Sequence, residues 1–282
     1  MAEGNRVRSR GKGPLVSVIM PSYNESGYIA TAIQSVLAQT FDTFELIVVD
    51  DASTDGTPEI VASFADPRIR LLVSPSNRGA AACRNAAVEN ASGSYLALHD
   101  ADDISEPDRL ARQVAFLEAN PEIDILGTST RWIDAKGKTI GVSVPETSHE
   151  AICACPLRGF GIAHASIVMR REVMEAIGGY DPELRRSEDY GFLLRCVDDF
   201  RFANIRDILY VIRWLPRRKW AEVCERKNRK AQIAYIRRTR QGFTAYGWLL
   251  TDYLRLLAGP VYWHLPALRV RWTTYFRQRS QR

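Results

Sequence analysis

The sequence lacks the features that mark several protein classes. Its five cysteines are odd in number and form no CxxC pair, since Cys153 and Cys155 are only two positions apart. We therefore expect reduced cysteines in a cytosolic protein, and neither a disulfide framework nor a cysteine-based zinc site. Residues 1–13 are polar and basic, without the apolar stretch of a secretory signal. No internal repeat or low-complexity segment is present.

The sequence also lacks an uninterrupted apolar run of the ~20 residues that span a membrane. The best candidate, YGWLLTDYLRLLAGPVYWHL (246–265), is broken by Asp252, Arg255 and Pro260. We expect an interfacial region instead, because aromatic residues are mixed with arginines across this stretch and the following RVRWTTYFRQRSQR (269–282). The alternative is a set of helices packed on the rest of the protein with a solvated basic face. The aromatic residues are Trp248, Tyr253, Tyr262, Trp263, Trp272 and Tyr275.

Charge is distributed unevenly along the chain. Residues 213–282 carry 17 Lys/Arg against 3 Asp/Glu, whereas residues 1–212 carry 21 against 30. This split predicts an acidic catalytic or binding body and a basic C-terminal region. We expect the C-terminal region to contact an anionic membrane surface peripherally. Nucleic-acid binding is not expected, because no RNA- or DNA-binding motif is present.

Apolar runs and helical patterns alternate over the first ~120 residues, as in parallel-sheet folds. Strands are predicted at 15–20, 44–49, 68–73 and 94–98, and they read as buried apolar runs. Helices are predicted at 28–39, from a Thr57 cap and Pro58, near 79–91, and from Pro107 to Ala119. Further on, 164–170 reads as a strand, and 171–177, 188–198 and 217–240 read as helices.

Polar residues follow each of the first four predicted strands. In parallel α/β sheets ligands bind at the carboxyl ends of the strands, so these residues predict one site. They are Tyr23, Asn24 and Glu25, then Asp50 and Asp51, then Asn77 and Arg78, then Asp100 and Asp102.

The HDADD stretch (99–103) places three carboxylates close together. In an extended segment Asp100 and Asp102 point to one side and Asp103 does not. Such a pair suits Mg²⁺ or Mn²⁺, which take oxygen ligands and share them with substrate phosphates. The alternative is a solvated acidic turn in which Asp103 or Ser105 caps the next helix.

Several segments together resemble the family 2 inverting glycosyltransferases with the GT-A fold. They are VSVIMPSYNE, LIVVDDASTDGT, NRGAAACRNAAVENASGSYLALHDADD, GGYD and SEDYGFLLR, which occur in order over about residues 14–212. The resemblance implies a Rossmann-like, mostly parallel sheet flanked by helices at 14–212. It leaves residues 1–13 as a basic flexible N-terminus and residues 213–282 as a basic helical extension.

The resemblance also implies roles for individual residues on the donor side. Pro21, Tyr23 and Glu25 match the loop that walls the nucleotide base, with a packing aromatic as the alternative for Tyr23. Asp51 matches the acid that binds the uracil or ribose, and Asp50 is expected to organise the turn. Asn77, Arg78 and Gly79 match the loop beside the nucleotide.

The metal and the base follow from the same resemblance. Asp100 and Asp102 match the DxD motif, with Asp100 near the ribose and both on a divalent cation that bridges the diphosphate. Asp189 matches the catalytic base, which takes the acceptor proton. Its alternative role, shared with Ser187 and Glu188, is to cap a helix.

Glu188 and His164 are assigned to substrate binding. For His164 a hydrogen-bonded core histidine is the equal alternative. Arg213 matches the start of an Arg-x-His motif, but Leu215 replaces the histidine. This departure puts in doubt a diphosphate contact from that segment.

The sequence therefore predicts metal-dependent, inverting sugar transfer from a nucleotide-diphosphate donor, of which a UDP-sugar is favoured, to a glycan or lipid-linked hydroxyl. The expected setting is surface-polysaccharide synthesis at the cytoplasmic face of a membrane. One alternative is a nucleotidyltransferase, which would need a glycine-rich loop where PSYNESG stands. The other is a silent nucleotide-sugar-binding scaffold.

Overall fold

The computed structural model describes residues 15–157, 159–184, 187–215 and 231–235. Strands and helices alternate through the first half of the chain, as the apolar pattern predicts. In chain order the elements are β1 (Val16–Ser22), α1 (Ile29–Leu37), β2 (Phe44–Asp50), α2 (Thr57–Ala62), β3 (Ile69–Val73), α3 (Ala80–Glu89), β4 (Tyr95–Leu98), β5 (Ile104–Ser105), α4 (Arg109–Ala119), β6 (Ile125–Ile133), β7 (Thr139–Ser143), α5 (His149–Ile152), β8 (Val168–Arg170), α6 (Arg171–Ile177), α7 (Glu188–Cys196) and β9 (Phe202–Arg213).

These strands form one sheet in the order β3-β2-β1-β4-β8-β6-β9-β5, and β7 pairs with β6. The first four run parallel, so their carboxyl ends meet at one edge. β8 is antiparallel to β4 and β6, whereas β9 is parallel to β6. The predicted α/β class, a mostly parallel sheet flanked by helices, is confirmed.

Two apolar layers cover the two faces of the sheet, because successive strand residues point to opposite sides. Val18 and Met20 of β1 face one layer, and Ile19 faces the other. α1 and α4 pack in the first layer, while α3, α6 and α7 pack in the second. Burying each aliphatic side chain contributes roughly 1.5–3 kcal/mol, which fixes the strand ends and the polar groups that follow them.

Three local predictions are wrong. Gly56, with φ 82°, holds the N-cap position of α2, and Thr57 is already helical. α4 begins at Arg109 after Asp108, two residues later than Pro107 suggested. Residues 164–170 are not one strand, because His164–Ser166 form a 3₁₀ turn before β8. The hydroxyl of Ser166 bonds to the Ala163 carbonyl (2.7 Å), which stabilises the turn over an extended chain.

The C-terminal region belongs partly to a second compact unit, residues 229–282, whereas residues 1–228 form the first. In the second unit the structure describes residues 231–235, which are helical. The remainder of the predicted 217–240 helix and the interfacial aromatic residues lie outside the described residues. The domain boundary at 212/213 stays a prediction. None of the helices that the structure describes combines the length and apolarity needed to cross a bilayer.

Candidate active site

The loops that follow β1 and β2 interlock at the carboxyl edge of the sheet. The Asn24 N–H donates to Ser53 Oγ (2.8 Å), and the Thr54 N–H donates back to Asn24 Oδ1 (2.8 Å). Asn24 and Ala52 have φ values of 55° and 61°, a left-handed conformation that side chains rarely adopt. The loops are therefore held in one strained shape by their mutual hydrogen bonds.

A second pair of bonds ties the first loop to the start of α2. The Glu25 N–H donates to Thr57 Oγ1 (3.0 Å), and the Ser26 N–H donates to Asp55 Oδ2 (3.0 Å). Burial opposes ionisation of Asp55, but the hydrogen bonds from Thr57 and Ser26 outweigh it and lower its pKa to about 2. The loop thus presents Tyr23, whose side chain is 46% exposed, on a fixed backbone.

The two aspartates after β2 have different surroundings. Asp50 is fully buried and accepts from the Ser53 N–H (2.9 Å) and Ser53 Oγ (2.5 Å), so it organises the turn as predicted. Asp51 accepts from the N–H groups of Arg78 (2.8 Å) and Gly79 (2.7 Å). The predicted donor-binding acid is therefore also the anchor of the predicted 77–79 loop.

The carboxylate segment after β4 is a turn, so the extended conformation predicted for Asp100–Asp102 is wrong. The Asp103 N–H donates to the Asp100 carbonyl (3.1 Å), which closes the turn. The Asp100 N–H donates to the Tyr210 hydroxyl (3.0 Å), and Asp103 accepts from the Arg213 N–H (2.8 Å). Tyr210 and Arg213 of β9 therefore hold the turn, while Asp100 and Asp102 remain partly exposed.

The carboxylates of this turn interact strongly. Burial first, and then the charges of Asp100 and Asp102, raise the pKa of the Asp103 carboxyl well above its usual value. Within the described residues no group of three His, Cys, Asp or Glu side chains is arranged to hold a metal ion. This donor set fits a divalent cation that takes its remaining ligands from a bound diphosphate, and not one held by protein alone.

Arg213 is occupied by the fold. Its guanidinium donates to the carbonyls of Asp102 (3.0 Å) and Asp134 (3.3 Å) and lies 4.7 Å from the centre of the Tyr28 ring. This arginine joins the carboxylate turn to the turn between β6 and β7 (134–138), which a bond from the Asp134 N–H to the Lys138 carbonyl (2.9 Å) closes. The doubt about a diphosphate contact from this segment therefore stands.

A buried arginine that the sequence analysis did not single out joins the two sides of the site. Arg84 of α3 is 5% exposed and donates to Asp100 Oδ1 (3.0 Å) and Glu188 Oε1 (2.8 Å). Burial alone would lower the pKa of its guanidinium, but the two carboxylates outweigh burial and raise it. The sequence held a signal for this residue, because Arg84 lies three positions from both Ala81 and Ala87 on the buried stripe of the helix.

Tyr180 and His164 extend this cluster. The Tyr180 ring lies 5.5 Å from the Arg84 guanidinium carbon, and its hydroxyl hydrogen-bonds His164 Nε2 (2.9 Å). Burial and then the Arg84 charge lower the pKa of His164 well below its usual value. This contact matches the alternative prediction for His164, a hydrogen-bonded histidine.

Glu188 and Asp189 lie in the first turn of α7. Ser187 occupies the N-cap position with φ 62° and makes no side-chain capping bond. Asp189 Oδ1 accepts the N–H of Tyr190 (2.7 Å), and the Asp189 side chain remains partly exposed. Burial raises the pKa of Glu188, and Arg84 offsets only part of that rise. The helix start therefore presents one carboxylate to Arg84 and the other near the protein surface.

The sheet order, with its polar edge of strand ends, is that of the GT-A fold class of glycosyltransferases. A model of "Glycosyl transferase family 2" matches residues 17–178, which is more than half of the chain. The chain belongs to this family, and the resemblance stated from its motifs is confirmed.

Two curated relatives illustrate the family. The chain is 38% identical to the putative glycosyltransferase EpsE of Bacillus subtilis over 210 residues, 71% of this chain and 73% of EpsE. It is 45% identical over 106 residues to WfgD of Escherichia coli, a UDP-Glc:alpha-D-GlcNAc-diphosphoundecaprenol beta-1,3-glucosyltransferase. That second match covers 38% of this chain and 42% of WfgD.

Two solved structures share the fold. Staphylococcus aureus TarS 1–349 in complex with UDP-GlcNAc aligns with TM-score 0.64 and 23% identity, over 77% of this chain and 65% of TarS. The mannosyltransferase PcManGT of Pyrobaculum calidifontis, in complex with GDP-Man and Mn²⁺, aligns with TM-score 0.61 and 24% identity. That alignment covers 92% of this chain and 74% of PcManGT.

Proposed function

We propose that the protein transfers a sugar, with inversion, from a UDP-sugar to a hydroxyl group of a glycan or lipid-linked acceptor. The observation that carries this proposal is the Arg84 bridge between Asp100 and Glu188. It brings the carboxylate turn that matches the DxD motif beside the helix that carries Asp189. The site then has a donor side and an acceptor side in contact, as a direct displacement needs.

The donor side lies on the carboxyl ends of the parallel strands. We assign the nucleotide to the Pro21–Tyr23–Glu25 loop, to Asp51 and to the 77–79 loop. The names of two similar proteins support a UDP-sugar, since TarS is in complex with UDP-GlcNAc and WfgD is named for UDP-Glc. The GDP-Man complex of PcManGT makes GDP-Man the first alternative donor.

Asp102 and Asp100 would hold a divalent cation together with the donor diphosphate. Mn²⁺ in the PcManGT complex supports this assignment. When bound, the cation supplies Lewis-acid stabilisation of charge on the leaving diphosphate. The turn itself contributes two partly exposed carboxylates on a backbone held by Tyr210 and Arg213.

Asp189 is assigned as the base. The acceptor oxygen attacks the anomeric carbon, and its proton passes to the Asp189 carboxylate. The bond from the anomeric carbon to the diphosphate oxygen breaks, and its electron pair leaves with the nucleoside diphosphate. Attack opposite the leaving group gives inversion.

The setting we propose is polysaccharide or glycoconjugate synthesis at the cytoplasmic face of a membrane. The lipid-linked acceptor in the name of WfgD supports it. The basic, aromatic composition of residues 213–282 supports peripheral contact with anionic lipid.

A product assay tests the function. UDP-GlcNAc, UDP-Glc and GDP-Man are first compared by thermal shift with Mn²⁺, and the stabilising donor is then incubated with the protein with and without the metal. Metal-dependent release of UDP or GDP is expected. A nucleotidyltransferase would need pyrophosphate and yield a nucleoside triphosphate, whereas a silent scaffold would bind donor without turnover.

A further inference from the structure

We propose that Arg84 is a positioning residue that sets Asp189 against the donor, by holding the first turn of α7 to the carboxylate turn after β4. The inference rests on the function proposed above. The Arg84 guanidinium reaches Glu188 at 2.8 Å and Asp100 at 3.0 Å, although these carboxylates are 88 positions apart in the chain. Glu188 directly precedes Asp189, so the position of one constrains the other.

Neighbouring contacts make the connection rigid. Asn85, the next residue of α3, donates from Nδ2 to the Tyr180 carbonyl (2.8 Å) and accepts the Tyr180 N–H (2.7 Å). The Tyr180 ring then stacks on Phe192 of α7 with ring centres 4.6 Å apart. α3 therefore holds α7 at two points, one through Tyr180 and one through Arg84.

The residue type matters because of the shape of its head group. A guanidinium is a planar fork whose two terminal nitrogens can bond two carboxylates at once, whereas the compact lysine ammonium does not reproduce that geometry. In Arg84→Lys we expect the cation to stay with Asp100 and release Glu188. A buried carboxylate that loses its partner is destabilised and moves or takes up a proton.

The expected consequence is a loss of turnover without a loss of donor binding. A displacement of about 1 Å of a reacting group costs about 10²-fold in rate. Asp189 is assigned to the acceptor side, so the donor Kd should change by less than about threefold. Replacing a residue that only stabilised the fold would not lower kcat while leaving the donor Kd unchanged.

The test uses the full chain with Arg84→Lys, Glu188→Gln and the double variant. Turnover is the release of nucleoside diphosphate from the donor selected above with Mn²⁺, in which water replaces the acceptor hydroxyl. Donor affinity is measured by titration calorimetry with Mn²⁺ and the nucleoside diphosphate of that donor, UDP or GDP. Hydrogen exchange of the amides in 188–196 reports on the first turn of α7 without any substrate.

Arg170→Lys is the matched control. Arg170 is 4% exposed, donates to the carbonyls of Ile123 (3.0 Å) and Leu117 (2.7 Å), and lies 5.7 Å from the centre of the Tyr95 ring. The same substitution there removes a buried guanidinium from main-chain partners and leaves the site intact. We expect lower thermal stability with unchanged turnover.

The proposal predicts that kcat falls about 10²-fold in Arg84→Lys. It also predicts that the kcat of the double variant equals that of the less active single variant, because both changes break the same connection. It also predicts faster exchange at the start of α7 in Arg84→Lys and not in Arg170→Lys. Turnover within about threefold of the parent, or losses that multiply in the double variant, would overturn it. If Arg84→Lys fails to fold, Glu188→Gln alone carries both readouts, with the same slower turnover and faster exchange expected.

The proposed function and this inference fail separately. A parent protein that neither binds UDP or GDP with Mn²⁺ nor releases either of them from a nucleotide sugar disproves the function. The hydrogen-exchange comparison then still decides whether Arg84 holds α7. An active parent with unchanged exchange in both Arg84 and Glu188 variants disproves the inference alone.

Discussion

The Asp51 carboxylate receives the Gly79 N–H at 2.7 Å, so a residue at the end of β2 holds the loop that begins α3. Gly79 has φ 91°, a conformation that side chains rarely adopt. A chain position that glycine alone fits easily is thus held by a buried carboxylate, next to the proposed nucleotide site.

Asp51→Asn should loosen this loop. An asparagine keeps one accepting oxygen but turns an NH₂ group toward an N–H donor, so one buried bond is lost at a cost of about 1–3 kcal/mol. We expect a lower free energy of unfolding in urea and weaker UDP binding by calorimetry. Asp108→Asn is the control, because the exposed Asp108 side chain forms a surface pair with Arg112 (3.5 Å), and such pairs contribute little to stability. Equal unfolding and UDP affinity in parent and Asp51→Asn would contradict this role.

Asp102→Asn should abolish metal-dependent turnover and leave the fold intact, because an amide supplies no anionic charge to a cation. Mn²⁺ affinity in the presence of UDP, measured by calorimetry, is expected to fall with activity. Asp199→Asn, an exposed carboxylate beyond the end of α7, should change neither. Retention of more than about a tenth of the activity with unchanged metal affinity rejects the metal assignment.

Asp189→Asn should lower kcat by ~10²–10⁴, the contribution of a positioned acid–base group. Donor affinity should stay the same, because the residue is assigned to the acceptor side. Asp199→Asn, beyond the other end of α7, is the control for a surface carboxylate. A large loss of UDP affinity in Asp189→Asn would show that this residue binds the donor and that another group is the base.

Stability should fall as the pH drops below ~6.5, the unfolded pKa of histidine. The folded pKa of His164 lies well below that value, so only the unfolded chain gains its proton there, and the stability present above pH ~6.5 is lost. The limiting slope from one such group is ~1.4 kcal/mol per pH unit. When urea unfolding is measured at several pH values between 7.5 and 5, the free energy of unfolding should fall less with decreasing pH in His164→Gln than in the parent. Parallel curves would mean that His164 is protonated in the folded protein.

Reversing charge at Arg237, Arg238 and Arg240 should weaken binding to anionic vesicles. Each basic residue near such a surface contributes ~1 kcal/mol, and salt screens the attraction. Co-sedimentation with vesicles containing phosphatidylserine measures it, and neutral vesicles are the control. If the triple variant sediments as the parent does, this cluster is not a lipid contact. If the parent does not bind, the predicted peripheral contact with anionic lipid is wrong.

The sequence predicted the parallel half of the sheet, because β1, β2 and β4 are continuous apolar runs buried on both faces. It located the carboxylates of Asp51 and Asp100 at the ends of those strands for the same reason. It failed where distant contacts override local pattern. The turn at Asp100 depends on Tyr210 and Arg213, and local spacing contains no trace of them. Arg84 was missed because a cation on an apolar stripe is explained by its partners Asp100 and Glu188, which lie 16 and 104 positions away in the chain.

In the interlocked loops after β1 and β2, the residues that hold the loop shape are different from the exposed Tyr23. Their shape depends on bonds among Asn24, Ser53, Thr54 and Asp55, together with Thr57, and none of those bonds uses the Tyr23 side chain. Exchanging Tyr23 therefore leaves the scaffold in place and changes only the surface it presents. Under the proposed assignment of Tyr23 to the nucleotide base, a single exposed substitution there would change nucleotide preference without a prior loss of stability to compensate.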